Sequence, residues 1–281
     1  MPAKIIDGKQ IAREIREHLR EEVRVLESKG RVPGLSIVAL RSPYSRVHVA
    51  RLKEKTCRQL GIKCHIYLLP ETTTEEEISF LIDHLNNTRD VHGINIHPLP
   101  PRFNHTLISQ QVDPRKDVEG LHFLNLGNFF SGKLNMAPFV AQGIMKLIES
   151  TGEPIEGKRA VIIGRSQLVG KPVSFMLLEN NATVSVCHTH TMNLEKFTRA
   201  ADILIVAAGH PHTVGRKMVK EGAIVIDVGV NQIGTRLVGD VDYDEVKSVA
   251  GWITPVPGGL GPVTIATLLH NLVEAAKIYE W

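Results

Sequence analysis

Apolar positions recur along the chain with two alternating periods. Ile11, Ile15, Leu19, Val23 and Leu26 fall at helical spacing, predicting an amphipathic helix over 8–29 that Gly30 closes. Short apolar runs follow at 35–40, 66–69 and 91–96 and read as strands. Between them lie a second helix over 46–60, closed by Gly61, and a third that starts after the Thr72-Thr73-Thr74-Glu75 cap and runs to Leu85. The third strand leads into a proline-rich turn, Pro98-Leu99-Pro100-Pro101, and residues 113–137 are less regular, with Gly120, Gly127 and Gly132. A helix over 142–150 opens the second half. Strands are predicted there at 160–163, 183–187, 203–207 and 223–227, with a short one at 252–253 and a last helix from Val263 to about Tyr279. Strands alternating with helices imply a mostly parallel sheet covered by helices on its faces. No internal repeat or low-complexity tract interrupts the pattern.

The 281 residues are enough for two modest α/β domains. A hydrophobic fraction of 43%, a charged fraction of 22% and a net charge of +3 fit a soluble globular protein, with no basic run of the kind that grips nucleic acid. No apolar run reaches membrane-spanning length, and the first residues lack the basic and apolar regions of a signal peptide. Cys57, Cys64 and Cys187 make an odd number without metal spacing, which points to a reducing compartment. The expectation is a cytoplasmic protein with no membrane and no nucleic-acid partner.

The most informative stretch runs from Lys158 to Pro172. A buried strand enters a turn bracketed by Gly164 and Gly170, and Pro172 suits the first turn of a following helix. Strand, glycine turn and helix amino end form the setting that cradles a dinucleotide pyrophosphate. The spacing departs from G-x-G-x-x-G, since Ser166 stands at the middle glycine and the last glycine comes one residue late; a βα turn that needs glycine for packing alone gives the same pattern. The next strand, Thr183 to Cys187, ends in His188-Thr189-His190-Thr191 and offers no acid for a ribose 2′-hydroxyl. Arg165 suits a phosphate there, with Ser166 and Thr189 as hydroxyl donors, so NADP is expected over NAD. His188, His190, His210 and His212 lack the helix context of a zinc site and are assigned to loops; no metal is expected.

Five ordered motifs now carry a resemblance: G-R-S-Q-L-V-G-K-P at 164–172, C-H-T-H-T at 187–191, G-A-I-V-I-D-V-G-V-N at 222–231, V-G-D-V at 238–241 and T-P-V-P-G-G-L-G-P-V-T at 254–264. With I-I-D-G-K at 5–9, they closely resemble the bifunctional methylenetetrahydrofolate dehydrogenase/methenyltetrahydrofolate cyclohydrolase family over essentially the whole chain. The resemblance implies two three-layer α/β domains with a cleft between them: a folate domain over 1–137, completed by the terminal helix 263–281, and a Rossmann-like NADP domain over 138–262. It implies NADP-linked oxidation of 5,10-methylenetetrahydrofolate, hydrolysis of the methenyl product to 10-formyltetrahydrofolate, and a homodimer. Gly164, Arg165, Ser166, Thr189 and Val230 are then expected to line the cofactor, and Pro257, Gly258 and Gly259 to border the folate.

The folate half departs from the family pattern. Against S-x-x-Y-V-x-x-K-x-K, the chain reads Ser45-Arg46-Val47-His48-Val49-Ala50-Arg51-Leu52-Lys53-Glu54-Lys55. Alignment on Ser45 puts Leu52 at the catalytic lysine and His48 at the tyrosine. Alignment on Cys57 and Gly61 puts Lys53 at the lysine and Val49 at the tyrosine. The second needs no insertion inside a helix, where one residue turns the apolar face by about 100°. His97 stands where the family has the glutamine that supports the lysine, Glu119 stands for the aspartate that grips the pterin, and Pro138-Phe139-Val140-Ala141 replaces P-C-T-P. Lys53 is the candidate proton shuttle, His97 its partner, Glu119 the pterin anchor and Val49 a substrate contact. The bland alternatives are a solvated helix lysine, a loop histidine capping backbone groups and a loop salt bridge. At the level of function, the alternatives are a divergent paralogue with one of the two activities and a non-catalytic NADP- or folate-binding protein.

Overall fold

A computed structural model describes residues 2–42, 45–133 and 136–278. Its elements, in order, are β1 (Lys4–Ile5), α1 (Gly8–Ser28), β2 (Gly34–Leu40), α2 (Val47–Leu60), β3 (Lys63–Leu69), α3 (Glu75–Asn86), β4 (Gly93–Ile96), α4 (His105–Ser109), α5 (Phe123–Phe130) and α6 (Phe139–Glu149). They continue with β5 (Arg159–Ile163), α7 (Gly170–Glu179), β6 (Thr183–Cys187), α8 (Leu194–Thr198), β7 (Ile203–Val206), β8 (Ile224–Asp227), β9 (Asn231–Ile233), β10 (Arg236–Val238), α9 (Tyr243–Val246), β11 (Trp252–Ile253) and α10 (Leu260–Ile278). The chain forms two α/β units: Met1–Glu14 with Val140–Ala266, and Ile15–Phe139 with Thr267–Trp281.

In the second of these units a parallel sheet of order β3-β2-β4 is centred on β2, all seven of whose residues are buried. That burial explains why the stretch is a near-continuous apolar run, interrupted by the buried Ser36, rather than an alternating one. Val38, Leu40, Ile94 and Ile96 pack against Ile78, Ile82 and Leu85 of α3 to make a core. The cap expected before α3 is a full capping box: Thr74 Oγ1 accepts from the Glu77 N–H, and the Glu77 carboxylate accepts from the Thr74 N–H. The end of the same helix is closed by Lys116, whose Nζ donates to the carbonyls of Leu85, Asn86 and Thr88 at 3.0, 2.8 and 2.8 Å. Residues 267–278 belong to this unit, where the buried Asn271 amide donates to the carbonyls of Val118 and Ala137, both at 3.0 Å.

The other unit is built on a six-stranded sheet of order β1-β11-β8-β7-β5-β6, whose pairings are all parallel. From β5 the chain passes to β6 on one side and then returns to β7 on the other. The strand order therefore reverses at the carboxyl ends of β5 and β7, the switch point at which open α/β sheets bind ligands. Val161, Ile163, Leu204, Val206 and Val225 form part of its core.

Several bounds differ from the pattern. Strand β3 begins at Lys63, three residues early, because its polar start pairs with Gly34 of β2 without presenting an apolar signal. Helix α4 lies between the proline-rich turn and the irregular stretch, where no element was expected, and α5 lies in the irregular stretch, tolerating Gly127 in its middle. The β9–β10 hairpin was not signalled by hydrophobicity, its residues being mostly exposed. The last helix starts at Leu260 rather than Val263, and its expected end at Tyr279 lies outside the described residues.

Candidate functional site

Helix α2 buries Ala50, Lys53, Thr56, Cys57 and Leu60, spaced three and four apart along one face. Lys53 thus occupies the stripe where apolar residues belong. It is 7% exposed, while Leu52 is 51% exposed. The helix runs unbroken from Val47, preceded by a left-handed Arg46 at φ 43°. Of the two alignments to S-x-x-Y-V-x-x-K-x-K, the one that sets Lys53 at the lysine therefore matches the buried face of the helix. Val49 is half-buried one turn earlier on that face, and His48 is exposed.

Strand β4 supplies what Lys53 meets. Its Nζ lies 2.6 Å from Asn95 Oδ1 and 3.2 Å from His97 Nε2. His97 Nδ1 is 2.7 Å from the Ser45 carbonyl oxygen. A carbonyl can only accept, so Nδ1 carries the imidazole hydrogen and Nε2 presents a lone pair to Lys53. Burial, reinforced by the Lys53 charge, pushes the His97 imidazolium down to about 4. The ring is therefore neutral at neutral pH and orients Lys53 as an acceptor. Burial also lowers Lys53 from its ordinary 10.5 to about 8, partly opposed by the Glu119 carboxyl and the thiols of Cys57 and Cys64. A lysine in that range can take and return a proton near neutrality.

Glu119 joins the same cluster. Its Oε1 accepts from Asn95 Nδ2 at 2.5 Å and from the Ile96 N–H at 3.1 Å. The turn that carries it is fixed by buried Asp117, which accepts from the N–H groups of Glu119, Gly120 and His122 and from Asn125 Nδ2. Lys53, His97 and Glu119, separated by up to 66 residues in sequence, are thus brought together, with Asn95 at their centre. Asn95 and Asp117 were missed by reading the sequence. The available signal for Asn95 was a single amide inside the otherwise apolar Gly93–Ile96 strand.

At the carboxyl end of β5, Gly164 has φ 126°, and a β-carbon there would lie 2.5 Å from the Ala207 carbonyl oxygen. A β-carbon on Gly170 would overlap the Gly164 carbonyl. Two glycines therefore let β5, the turn and the amino end of α7 approach closely, leaving backbone where a side chain would otherwise stand. Ser166 Oγ accepts from the Val169 N–H at 3.1 Å and shapes the turn. Arg165, Ser166 and Thr189 are exposed at this edge of the sheet, and the Arg165 guanidinium makes no ion pair among the described residues. Val230 is 46% exposed, on a segment held by two buried acids. Asp227 accepts from the N–H groups of Gly229, Asp240 and Val241, and Asp240 accepts from the Gly209 N–H and from Asn231 Nδ2. These two acids account for the D-V-G and V-G-D-V motifs, which sequence reading noted without a role. Pro257, Gly258 and Gly259 belong to this same unit. The Val256–Pro257 peptide is cis, and Gly8 at the start of α1 packs so closely on this loop that a β-carbon would overlap the Gly259 carbonyl.

A Rossmann-type sheet with a glycine turn at its switch point, and a separate parallel α/β unit holding a buried lysine of near-neutral pKa, define a two-unit dinucleotide-dependent enzyme. Comparison with known proteins gives the family. The model for the tetrahydrofolate dehydrogenase/cyclohydrolase catalytic domain matches residues 6–119, and that for its NAD(P)-binding domain matches 138–280. The chain belongs to this family. It is 48% identical to the Bifunctional protein FolD of Halothermothrix orenii over 280 residues, covering 98% of this chain and 99% of that one. The structure of the bifunctional enzyme FolD, methylenetetrahydrofolate dehydrogenase/cyclohydrolase, from Campylobacter jejuni is similar at TM-score 0.92 and 42% identity, covering 98% and 99% of the two chains. That of the Trypanosoma brucei enzyme complexed with NADP and an inhibitor is similar at TM-score 0.94 and 36% identity, covering 99% and 98%.

Proposed function

We propose that this chain oxidises 5,10-methylenetetrahydrofolate to the methenyl form with NADP and hydrolyses that product to 10-formyltetrahydrofolate. The observation that carries the reading is the Lys53 ammonium, buried between Asn95 and His97 with its pKa drawn down to about 8. Similarity to bifunctional relatives over nearly the whole chain supports both activities over a protein that keeps one of them.

Lys53 does the proton work. In its neutral form it takes a proton from the water that adds to the methenyl carbon, and as ammonium it returns that proton to the departing ring nitrogen. His97 Nε2 and Asn95 Oδ1 hold the amine in place while it does so. Glu119 anchors the pterin through its carboxylate, Val49 contacts the substrate from the helix face beside Lys53, and Pro257, Gly258 and Gly259 border the folate. The Gly164–Gly170 cradle fits a pyrophosphate at the amino end of α7, Arg165 with Ser166 and Thr189 holds the 2′-phosphate, and Val230 lines the cofactor. NADP, when bound, supplies the hydride acceptor. The folate chemistry is assigned to the domain expected over 1–137 with 263–281 and the cofactor to that expected over 138–262, except that residues 1–14 go with the six-stranded sheet, which β1 joins beside β11. The protein is read as a cytoplasmic homodimer; its three cysteines are free, and no helix among the described residues is long and apolar enough to cross a membrane.

The test is NADPH formation from methylenetetrahydrofolate, with NAD run in parallel. NADP-linked turnover that NAD does not match is expected. Folded protein that forms no NADPH, or uses NAD equally, overturns the reading.

A further inference from the structure

The hydrogen-bond pattern around Asn95 has only one chemically allowed orientation. An ammonium can only donate, so the atom 2.6 Å from Lys53 Nζ is the amide oxygen. The other amide atom, the nitrogen, then faces Glu119 Oε1 at 2.5 Å and donates to it. Asn95 is 3% exposed, so water does not substitute for either bond. A single rigid side chain thus accepts from the cation and donates to the acid. The Ile96 N–H holds the same Oε1 from the backbone, so both of these donors meet one oxygen of the Glu119 carboxylate.

We infer that Asn95 is a positioning residue that couples the Lys53 proton shuttle to the Glu119 anchor, so that one amide sets both the acidity of the ammonium and the direction of the carboxylate. The inference rests on the roles proposed above for Lys53 and Glu119. An amide in the middle of a buried strand otherwise only adds desolvation cost, and an aliphatic residue would satisfy β4 better. The polar group is retained where both of its ends meet ionisable partners.

The charged and titratable groups facing the pair are few. Lys53 is faced by Glu119 and His97, with Cys57 on its own helix and Cys64 on β3; Glu119 is faced by Lys53, His105 and Asp117; and His48 acts on His97. Of these groups Lys53 and Glu119 bond Asn95 directly, and in either variant the atom that replaces Oδ1 is what meets the ammonium, so the sign of the effect at Lys53 follows from position 95. Asn95→Leu removes the acceptor of the ammonium and makes Lys53 a stronger acid. Asn95→Asp keeps the shape and sets a second carboxyl against Glu119; the pair shares one proton, held by the buried Glu119, and the anionic oxygen of position 95 then meets the ammonium, which makes Lys53 a weaker acid. Opposite displacements of about one pH unit each are expected, on the scale of one charge-assisted hydrogen bond.

The experiment follows the pH dependence of Lys53 acetylation by trace acetic anhydride in the full-length protein, read by peptide mass spectrometry, beside the pH profile of methenyl hydrolysis. The midpoint is expected to fall in Asn95→Leu and rise in Asn95→Asp, and the KM for the folate is expected to rise about tenfold in Asn95→Leu as Glu119 loses its donor. Midpoints that move in the same direction, or stay at the parent value in both variants, overturn the inference. The labelling arm needs no folate, so it stands even if the parent protein proves inactive, an outcome that would sink the proposed function instead. Should Asn95→Leu not fold, the Asn95→Asp midpoint alone decides, since an unmoved or lowered value there refutes the coupling.

Discussion

Replacing Lys53 with methionine removes a charge that the fold holds against its solvation preference. Lys53 is drawn from 10.5 to about 8 chiefly by burial, which corresponds to about 3 kcal/mol of lost stability when the amine is charged in both the folded and the unfolded chain. The sign follows from proton counting. Below pH 8 both states bind the proton and the full cost is present. Between 8 and 10.5 the unfolded chain holds more protons than the folded one, so the parent gains stability as pH rises, and above 10.5 the cost is gone. Lys53→Met carries no such dependence. It does leave Asn95 Oδ1 and His97 Nε2 without their donor, at about 1 kcal/mol or more each, so its absolute stability at pH 7 is close to or above that of the parent. The difference between the two pH values is free of that offset. Relative to the parent, Lys53→Met should lose about 2 to 3 kcal/mol of advantage between pH 7 and pH 10. Urea unfolding of both proteins, followed by circular dichroism at the two pH values, measures it. A stability difference that stays constant across this range refutes the argument that Lys53 is a desolvated cation.

Arg165→Gln should raise the KM for NADP about 10- to 100-fold while leaving that for NAD unchanged, the loss expected for one charge-assisted phosphate contact; parallel steady-state kinetics with both cofactors check it. Gly164→Ala forces a side chain into φ 126° against the Ala207 carbonyl and should lower stability by about 1–3 kcal/mol, seen as a lower Tm, and weaken NADP binding by calorimetry. Asn271→Leu removes the two buried hydrogen bonds that its amide donates to the carbonyls of Val118 and Ala137 and should cost about 1–3 kcal/mol in urea unfolding.

The elements most legible in the sequence are those that bury both faces. The apolar runs of β2, β5, β7 and β8 were placed within a residue, because a parallel strand covered by helices has no exposed positions to interrupt it. The glycine turn was equally plain, since Gly164 and Gly170 stand where backbone meets backbone. Elements held by pairing alone were obscured: the polar start of β3 and the exposed β9–β10 hairpin owe their conformation to partners, which no local pattern reveals. The catalytic cluster was half visible. Lys53, His97 and Glu119 could be named from family motifs, but the helix register stayed open between Leu52 and Lys53, because which of two adjacent residues is buried depends on how the helix packs and not on local pattern. Asn95, Asp117, Asp227 and Asp240 act through hydrogen bonds to distant backbone or side chains, and such bonds have no period along the chain.

The central claim is that Lys53 moves protons for hydrolysis and is less involved in hydride transfer. It is tested most directly by measuring both reactions, with NADP and methylenetetrahydrofolate for one and with the methenyl compound for the other, in the parent and in Lys53→Met. The account predicts that the parent carries out both and that the substitution lowers hydrolysis about 10²- to 10⁴-fold, the range for loss of a general acid–base group, with a much smaller loss of NADPH formation. Hydrolysis at the parent rate in Lys53→Met would contradict it.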